Sequence, residues 1–245
     1  MKKIIIVGAS SGMGRRLAVD FARLGWRVGI AARREDQLKE IKEQNPGRIE
    51  YMAIDVAAQD AVDRFYKLIE LIDGMDYLVY AAGCGWRNPD LDTASDEQTI
   101  AVNVLGFTRI VNAAYKYYRQ TANVHRGHIA CITSVGGTKG IGISATYSAS
   151  KRYQWTYLQA IDQLAHQQRV NVAVTDIRPG FVDTALLAGR RYPLEMSLEY
   201  IAPRLERAIM RAPRVKIIDS RWAVVTALWR MIPPCLWRRI EFVDE

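Results

Sequence analysis

The stretch KIIIVGASSGMGRRLAVDFARLG, Lys3–Gly25, decides the fold. Lys3–Val7 is a short run of branched apolar residues, the pattern of a buried strand. Gly8-Ala9-Ser10-Ser11-Gly12-Met13-Gly14 follows it directly, and then a helix carrying Leu17, Phe21 and Leu24 stops at Gly25. Strand, glycine-rich turn and helix in that order make a phosphate cradle. The glycines permit a tight turn and close backbone approach, and the first N–H groups of the helix have no intrahelical partners and face an anion.

Outward from that unit the chain keeps alternating. The patterns predict strands at Arg27–Ala31, Ile49–Ile54, Tyr77–Tyr80, His128–Thr133 and Val170–Ile177. Helices are predicted at Glu35–Gln44, Ala58–Ile72, Asp96–Gln120 and Tyr147–His166. Regular alternation of this kind predicts an α/β chain with a Rossmann-type, doubly wound parallel sheet and helices on both faces. Residues 1–245 read as a single domain, since no composition break divides them. Gly8, Arg33, Asp55, Gly83, Ser134 and Pro179 each fall just after a predicted strand, where an open α/β sheet forms its ligand crevice.

The segment SVGGTKGIGISATYSASK, Ser134–Lys151, carries the chemistry. Tyr147 and Lys151 are four residues apart and share one helix face, and the glycine-rich loop can fold Ser134 back against them. A phenol titrates near 10, so acid–base work near neutrality needs a downward shift of up to ~3 units, roughly 4 kcal/mol. A cation at about 4 Å with an effective dielectric of about 20 supplies roughly that much. Lys151 is therefore strong enough to tune Tyr147, with burial opposing it.

With these motifs in place the chain resembles the short-chain dehydrogenase/reductase family. The resemblance rests on Gly8-x-x-x-Gly12-x-Gly14, Asp55-Val56, Ala81-Ala82-Gly83, Asn103, Ser134, Tyr147-x-x-x-Lys151 and Pro179-Gly180, and covers roughly Lys2–Thr184. It implies a nicotinamide dinucleotide across the sheet edge and hydride transfer to or from a ketone or aldehyde carbon, a 3-oxoacyl compound being one version. Tyr147 would then protonate the substrate oxygen and Ser134 would hold it. Lys151 would tune Tyr147 and bond the nicotinamide ribose, and Asn103 would fix a water that relays protons to Lys151. Cofactor contacts are implied at Gly8, Ser10, Ser11, Gly12, Met13, Gly14, Asp55, Val56, Ala82, Gly83, Tyr147, Lys151, Pro179, Gly180, Val182 and Thr184. The chain departs from the family where it has Val7, Tyr80 and Ala81 in place of polar residues, which predicts apolar packing between the first and fourth strands. A non-catalytic dinucleotide sensor or scaffold on the same fold is the alternative; loss of Tyr147 or Lys151 would have indicated it.

Cofactor choice is read at the second strand. A carboxylate at its end selects NAD(H), but Ala32 stands there, and Arg33 follows with a guanidinium suited to a 2′-phosphate. NADP(H) is expected over NAD(H), with Ser10 and Ser11 assisting and Arg34 directed to solvent.

Net charge is +8, and nine basic residues between Arg204 and Arg239 face Glu206 and Asp219 alone. Without an aromatic RNA-binding motif or a basic recognition helix, this excludes nucleic acid. The cysteines Cys84, Cys131 and Cys235 have no metal-binding spacing and fit a reduced, cytoplasmic compartment. MKKIIIVG stops short of a leader, and no apolar run reaches membrane-spanning length. Residues 185–200 occupy the place of a substrate lid, with Arg190, Arg191 and Tyr192 as candidate contacts to an anionic or acyl substrate. Residues 219–245 form a C-terminal helical segment. Its Trp222, Val225, Trp229 and Ile232 lie at helical spacing, a stripe expected to pack in a homodimer or homotetramer, with peripheral membrane contact through the flanking arginines and packing on the chain's own core as the alternatives.

Overall fold

A computed structural model describes residues 1–121, 126–184, 187 and 192–240. Seven strands, β1 (Lys3–Val7), β2 (Arg27–Ala32), β3 (Ile49–Ala53), β4 (Tyr77–Tyr80), β5 (Gly127–Ile132), β6 (Val172–Pro179) and β7 (Val215–Ile218), form one parallel sheet in the order β3-β2-β1-β4-β5-β6-β7. The order reverses between β1 and β4, which opens a crevice at the carboxyl ends of those strands. Helices α1 (Gly12–Arg23), α2 (Glu35–Glu43), α3 (Ala61–Leu71), α4 (Thr93–Ile100), α5 (Phe107–Gln120), α6 (Ala145–Gln167), α7 (Leu198–Arg211), α8 (Ser220–Met231) and the short α9 (Pro234–Trp237) complete the described elements.

Both faces of the sheet are covered. Ile5 and Val7 point into a core with Phe65 and Leu68 of α3, Phe107 and Ile110 of α5, and Leu158 of α6. Ile4 and Ile6 point the other way, against Leu17 and Phe21 of α1, Leu38 of α2, Leu205 of α7 and Trp222 of α8. One five-residue strand thus feeds two cores, each buried aliphatic contributing roughly 1.5–3 kcal/mol. Val7 pairs in register with Tyr80, both are buried, and the Tyr80 hydroxyl donates to the Val102 carbonyl at 3.1 Å. Apolar packing therefore occupies the place between β1 and β4 where the family has polar groups.

Two readings are corrected. The helix expected at Asp96–Gln120 starts at Thr93, because Asp92 caps it by accepting from Ser95 N at 2.9 Å, and it passes through a π-helical stretch at Ala101–Gly106. Helix α7 and strand β7 were not foreseen. Pro203 interrupts the reading of α7, although Ile201, Leu205, Ala208 and Ile209 form its buried face, and β7 has only four residues, of which Val215 and Lys216 are exposed. The Trp222–Val225–Trp229 stripe packs on the chain's own core, with Trp222 3% exposed and Val225 and Trp229 partly buried. The opposite side of α8, Val224, Leu228 and Met231, is the exposed apolar one. No described helix is long and apolar enough to cross a membrane.

His128 in β5 is buried, its Nε2 sharing a hydrogen bond with Thr175 Oγ1 at 2.8 Å. Burial lowers its pKa from 6.5 to about 4, and the nearby Arg126 acts in the same direction. The unfolded chain takes up this proton near pH 6.5 and the folded chain only near 4. Stability should therefore fall as pH drops through that window, by on the order of 3 kcal/mol, and level off below it. Urea titrations from pH 7.5 to 4.5 should show this loss in the native chain and a smaller one in His128→Gln; equal losses would remove His128 as its source.

Candidate active site

The glycine turn after β1 is held by contacts that leave no room for side chains. Gly8 has φ +92°, and a Cβ there would lie 2.4 Å from Ala82 N, so the ends of β1 and β4 meet backbone to backbone. A Cβ on Gly12 would stand 3.2 Å from Thr184 Cγ2, which brings the segment after β6 over the first turn of α1. Gly180 lies under the Trp222 indole, whose Nε1 donates to Leu194 O at 3.3 Å, and Phe181 stacks on Tyr192 at 4.2 Å. The C-terminal helix thereby braces the loop that carries Val182 and Thr184. Arg190 and Arg191 lie outside the described residues.

At the end of β2 Arg34 is exposed, as expected, but its side chain also has partners in the chain. Its guanidinium turns back to the glycine loop, Nη2 donating to Ser10 Oγ at 2.8 Å and to Ser11 Oγ at 2.7 Å. Arg33 is exposed and lines a hollow of about 360 Å³ with Ile54, Asp55 and Ala58. Asp55 turns one carboxyl oxygen inward to accept from Ala57 N at 3.0 Å. Backbone cradle, cationic rim and hollow fit a dinucleotide with its pyrophosphate at the start of α1.

Beyond β4 and β5 the polar groups converge. Gly83 sits where a Cβ would be 3.3 Å from Lys151 Nζ and 3.4 Å from Asn103 Oδ1. Gly136 likewise sits between Ser134 Oγ and Tyr147 Cε1, each 3.2 Å from a Cβ placed there. Gly136 N donates to Ser134 Oγ at 2.9 Å, which leaves the Ser134 hydroxyl hydrogen for another acceptor. A Cβ on Gly85 would lie 2.2 Å from Tyr147 Cδ2, so the loop after β4 lies flat on the tyrosine ring.

The electrostatics differ from the expectation that Lys151 tunes the phenol. Burial raises the Tyr147 pKa and the Ser134 side chain opposes it. The Lys151 ammonium lies 5.7 Å from the centre of the tyrosine ring, and its own pKa is lowered by burial to about 8. Lys151 donates to Gln154 Oε1 at 3.3 Å, and Gln154 Nε2 donates to the Asn103 carbonyl at 2.9 Å. The Gln154 amide thus bridges the Lys151 ammonium and the Asn103 carbonyl directly.

A groove of about 1350 Å³ runs along another side of α6 past Arg152, Arg178 and Arg230. Ser134, Tyr147 and Lys151 are not part of it. Gly85 and Gln154 were missed from sequence. Gly85 gave no signal beyond loop composition, whereas Gln154, a polar residue three past Lys151 and seven past Tyr147, shares their helix face.

The short chain dehydrogenase family matches residues 2–193. The protein is a short-chain dehydrogenase/reductase. An uncharacterized oxidoreductase of Mycobacterium tuberculosis is 30% identical over 250 residues, which cover 97% of this chain and 96% of the relative. One from Myxococcus xanthus is also 30% identical, covering 94% and 92%. Among solved structures, 3-ketoacyl-(acyl-carrier-protein) reductase from Brucella melitensis complexed with NADH superposes with a TM-score of 0.79 at 20% identity, covering 89% and 96%. A short-chain dehydrogenase from Sphingobium yanoikuyae in complex with NADPH gives 0.78 at 19%, covering 100% and 98%. This short-chain dehydrogenase/reductase is accordingly an oxidoreductase with a fold that takes a nicotinamide dinucleotide.

Proposed function

We propose that the protein is an NADPH-preferring carbonyl reductase that interconverts a ketone or aldehyde and its alcohol. The observation that carries this reading is the meeting of Ser134, Tyr147 and Lys151 at one point of the crevice, beside the glycine cradle. The cofactor, when bound, supplies the hydride. Tyr147 gives its proton to the carbonyl oxygen, and its raised pKa keeps that proton in place at neutral pH. Ser134 donates its hydroxyl hydrogen to the same oxygen, where negative charge develops. Lys151, an ammonium at neutral pH, holds positive charge behind the phenol. Gly8, Ser10, Ser11, Gly12, Met13 and Gly14 would hold the pyrophosphate, with Asp55, Val56, Ala82, Gly83, Pro179, Gly180, Val182 and Thr184 along the rest of the dinucleotide. A panel of ketones and aldehydes assayed by loss of NADPH absorbance tests the reading; binding of NADPH without turnover of any member would overturn it.

The preference for NADPH is supported by two cations and a missing carboxylate. Ala32 ends β2, Arg33 lines the hollow, and Arg34 grips both serines of the turn. A charge-assisted pair contributes on the order of 1.5–3 kcal/mol, so kcat/KM should favour NADPH over NADH by roughly ten- to more than a hundredfold. Arg33→Ala should erase most of this. Arg34→Ala should lower it and also weaken NADH binding, since it loosens Ser10 and Ser11. Equal kcat/KM for the two cofactors in the native chain would sink the assignment. Assembly as a homodimer or homotetramer belongs to the same reading, with Val224, Leu228 and Met231 as the exposed apolar residues of α8.

A further inference from the structure

We propose that Gln154 is a positioning residue for Lys151, its amide bridging the Lys151 ammonium and the Asn103 carbonyl in the place expected of a water. The assignment rests on the reading of Lys151 as part of the reductase site. Its geometry is closed at both ends. The Asn103 carbonyl can only accept and the Lys151 ammonium can only donate, so the amide has one orientation, Nε2 toward Asn103 at 2.9 Å and Oε1 toward Lys151 at 3.3 Å. All three residues are buried, with Gln154 1% exposed and Asn103 fully enclosed.

Asn103 is committed on its other side as well. Its Nδ2 donates to Cys84 O at 2.7 Å and to Ser150 Oγ at 3.0 Å, and its Oδ1 accepts from Cys84 N at 3.0 Å. The π-helical stretch Ala101–Gly106 carries this residue, and departure from regular α-helical bonding is what frees a carbonyl inside a helix to accept from elsewhere. The network therefore ties the loop after β4, the π-helical stretch and α6 into one unit, with the Lys151 ammonium at its end. One ammonium hydrogen is taken by Gln154, which leaves two for the crevice. A buried amide cannot be exchanged for bulk solvent as a water can, so the position and charge of Lys151 depend on a side chain of the same helix, three residues on.

The titratable groups facing Lys151 are Tyr147 on α6, Cys84 after β4, Cys131 on β5 and Asp176 on β6. The test replaces the amide while leaving these in place. The cofactor-free protein carrying lysine labelled with ¹³C at Cε is titrated by NMR, Lys151 being assigned from its absence in Lys151→Met. Gln154→Leu keeps the volume and removes the acceptor, so the Lys151 midpoint should move down at least tenfold in proton affinity. Gln154→Glu should move it up. Gln154→Ala makes room for water and should return the midpoint toward the native one. In assays of the variants on the best carbonyl compound, kcat should fall about tenfold in Gln154→Leu and recover in part in Gln154→Ala. An unmoved midpoint in folded Gln154→Leu, verified by an unchanged far-UV spectrum, would overturn the proposal. If the native chain turned over no carbonyl compound, the functional reading would fall while the lysine titration still decided the role of Gln154.

Discussion

Tyr147→Phe should lower kcat by about 10²–10⁴-fold, the range a positioned general acid contributes, while NADPH still binds. The substitution removes one oxygen and keeps the ring, which rests against Gly85 on one side and approaches Gly136 on another. The fold should be unaffected, because the ring's packing is retained. Two features of this tyrosine set the size of the effect. On the proposed mechanism its hydroxyl is the proton donor, whose pKa burial keeps high, and the neighbouring Ser134 hydroxyl, with its oxygen already accepting from Gly136 N, can hydrogen-bond the substrate but is far too weak an acid to replace it. Stopped-flow fluorescence of NADPH binding beside steady-state turnover separates binding from chemistry. A variant within a few-fold of native kcat would mean that the proton comes from elsewhere.

Gly85→Ala should lower kcat by about 100-fold while leaving every group that takes part in the reaction in the chain. A methyl at Gly85 would lie 2.2 Å from Tyr147 Cδ2 and 2.8 Å from Cγ, distances that non-bonded carbons do not reach. The atoms concerned are the inner part of the ring, not a flexible tip, so the ring must turn or the loop must lift. Displacement of a reacting group by about 1 Å is enough for a loss of this size. Because Gly85 lies in a loop and outside both cores, the melting temperature should change little. The separation of a large kcat effect from a small stability effect is the signature sought. Native kcat in Gly85→Ala would show that the loop after β4 does not hold the phenol.

The contrast between Gly8 and Gly85 shows where local pattern ends. Gly8 sits in a strand–turn–helix unit whose spacing announces a phosphate cradle, and the alternation around it is equally local. For that reason Lys3–Thr184, with Ser134, Tyr147 and Lys151 in register, could be read as a parallel sheet with a crevice at one edge before any coordinates. Gly85 carries no such pattern, since its role depends on a ring 62 positions further along the chain. Arg34 is similar. One residue beyond Arg33, its direction is set by the serine hydroxyls of the β1 turn, which only the β1–β2 pairing brings within 2.8 Å.

The C-terminal part of the chain divides in the same way. Periodicity marks Trp222, Val225 and Trp229 as one helix face, and the sequence by itself determined that this face is apolar. That this face lies against the chain's own core was decided by β7, a four-residue strand that extends the sheet past β6 and sets α8 down on that edge. Likewise the sequence determined that Tyr147 and Lys151 share a face of α6. The tertiary structure decided what stands behind Lys151, because the Asn103 carbonyl that Gln154 meets comes from a helix 51 residues earlier. Patterns of apolar residues and glycines act over a few neighbours and survive translation into sequence, whereas hydrogen-bond partners and ring contacts are properties of packing between elements and do not.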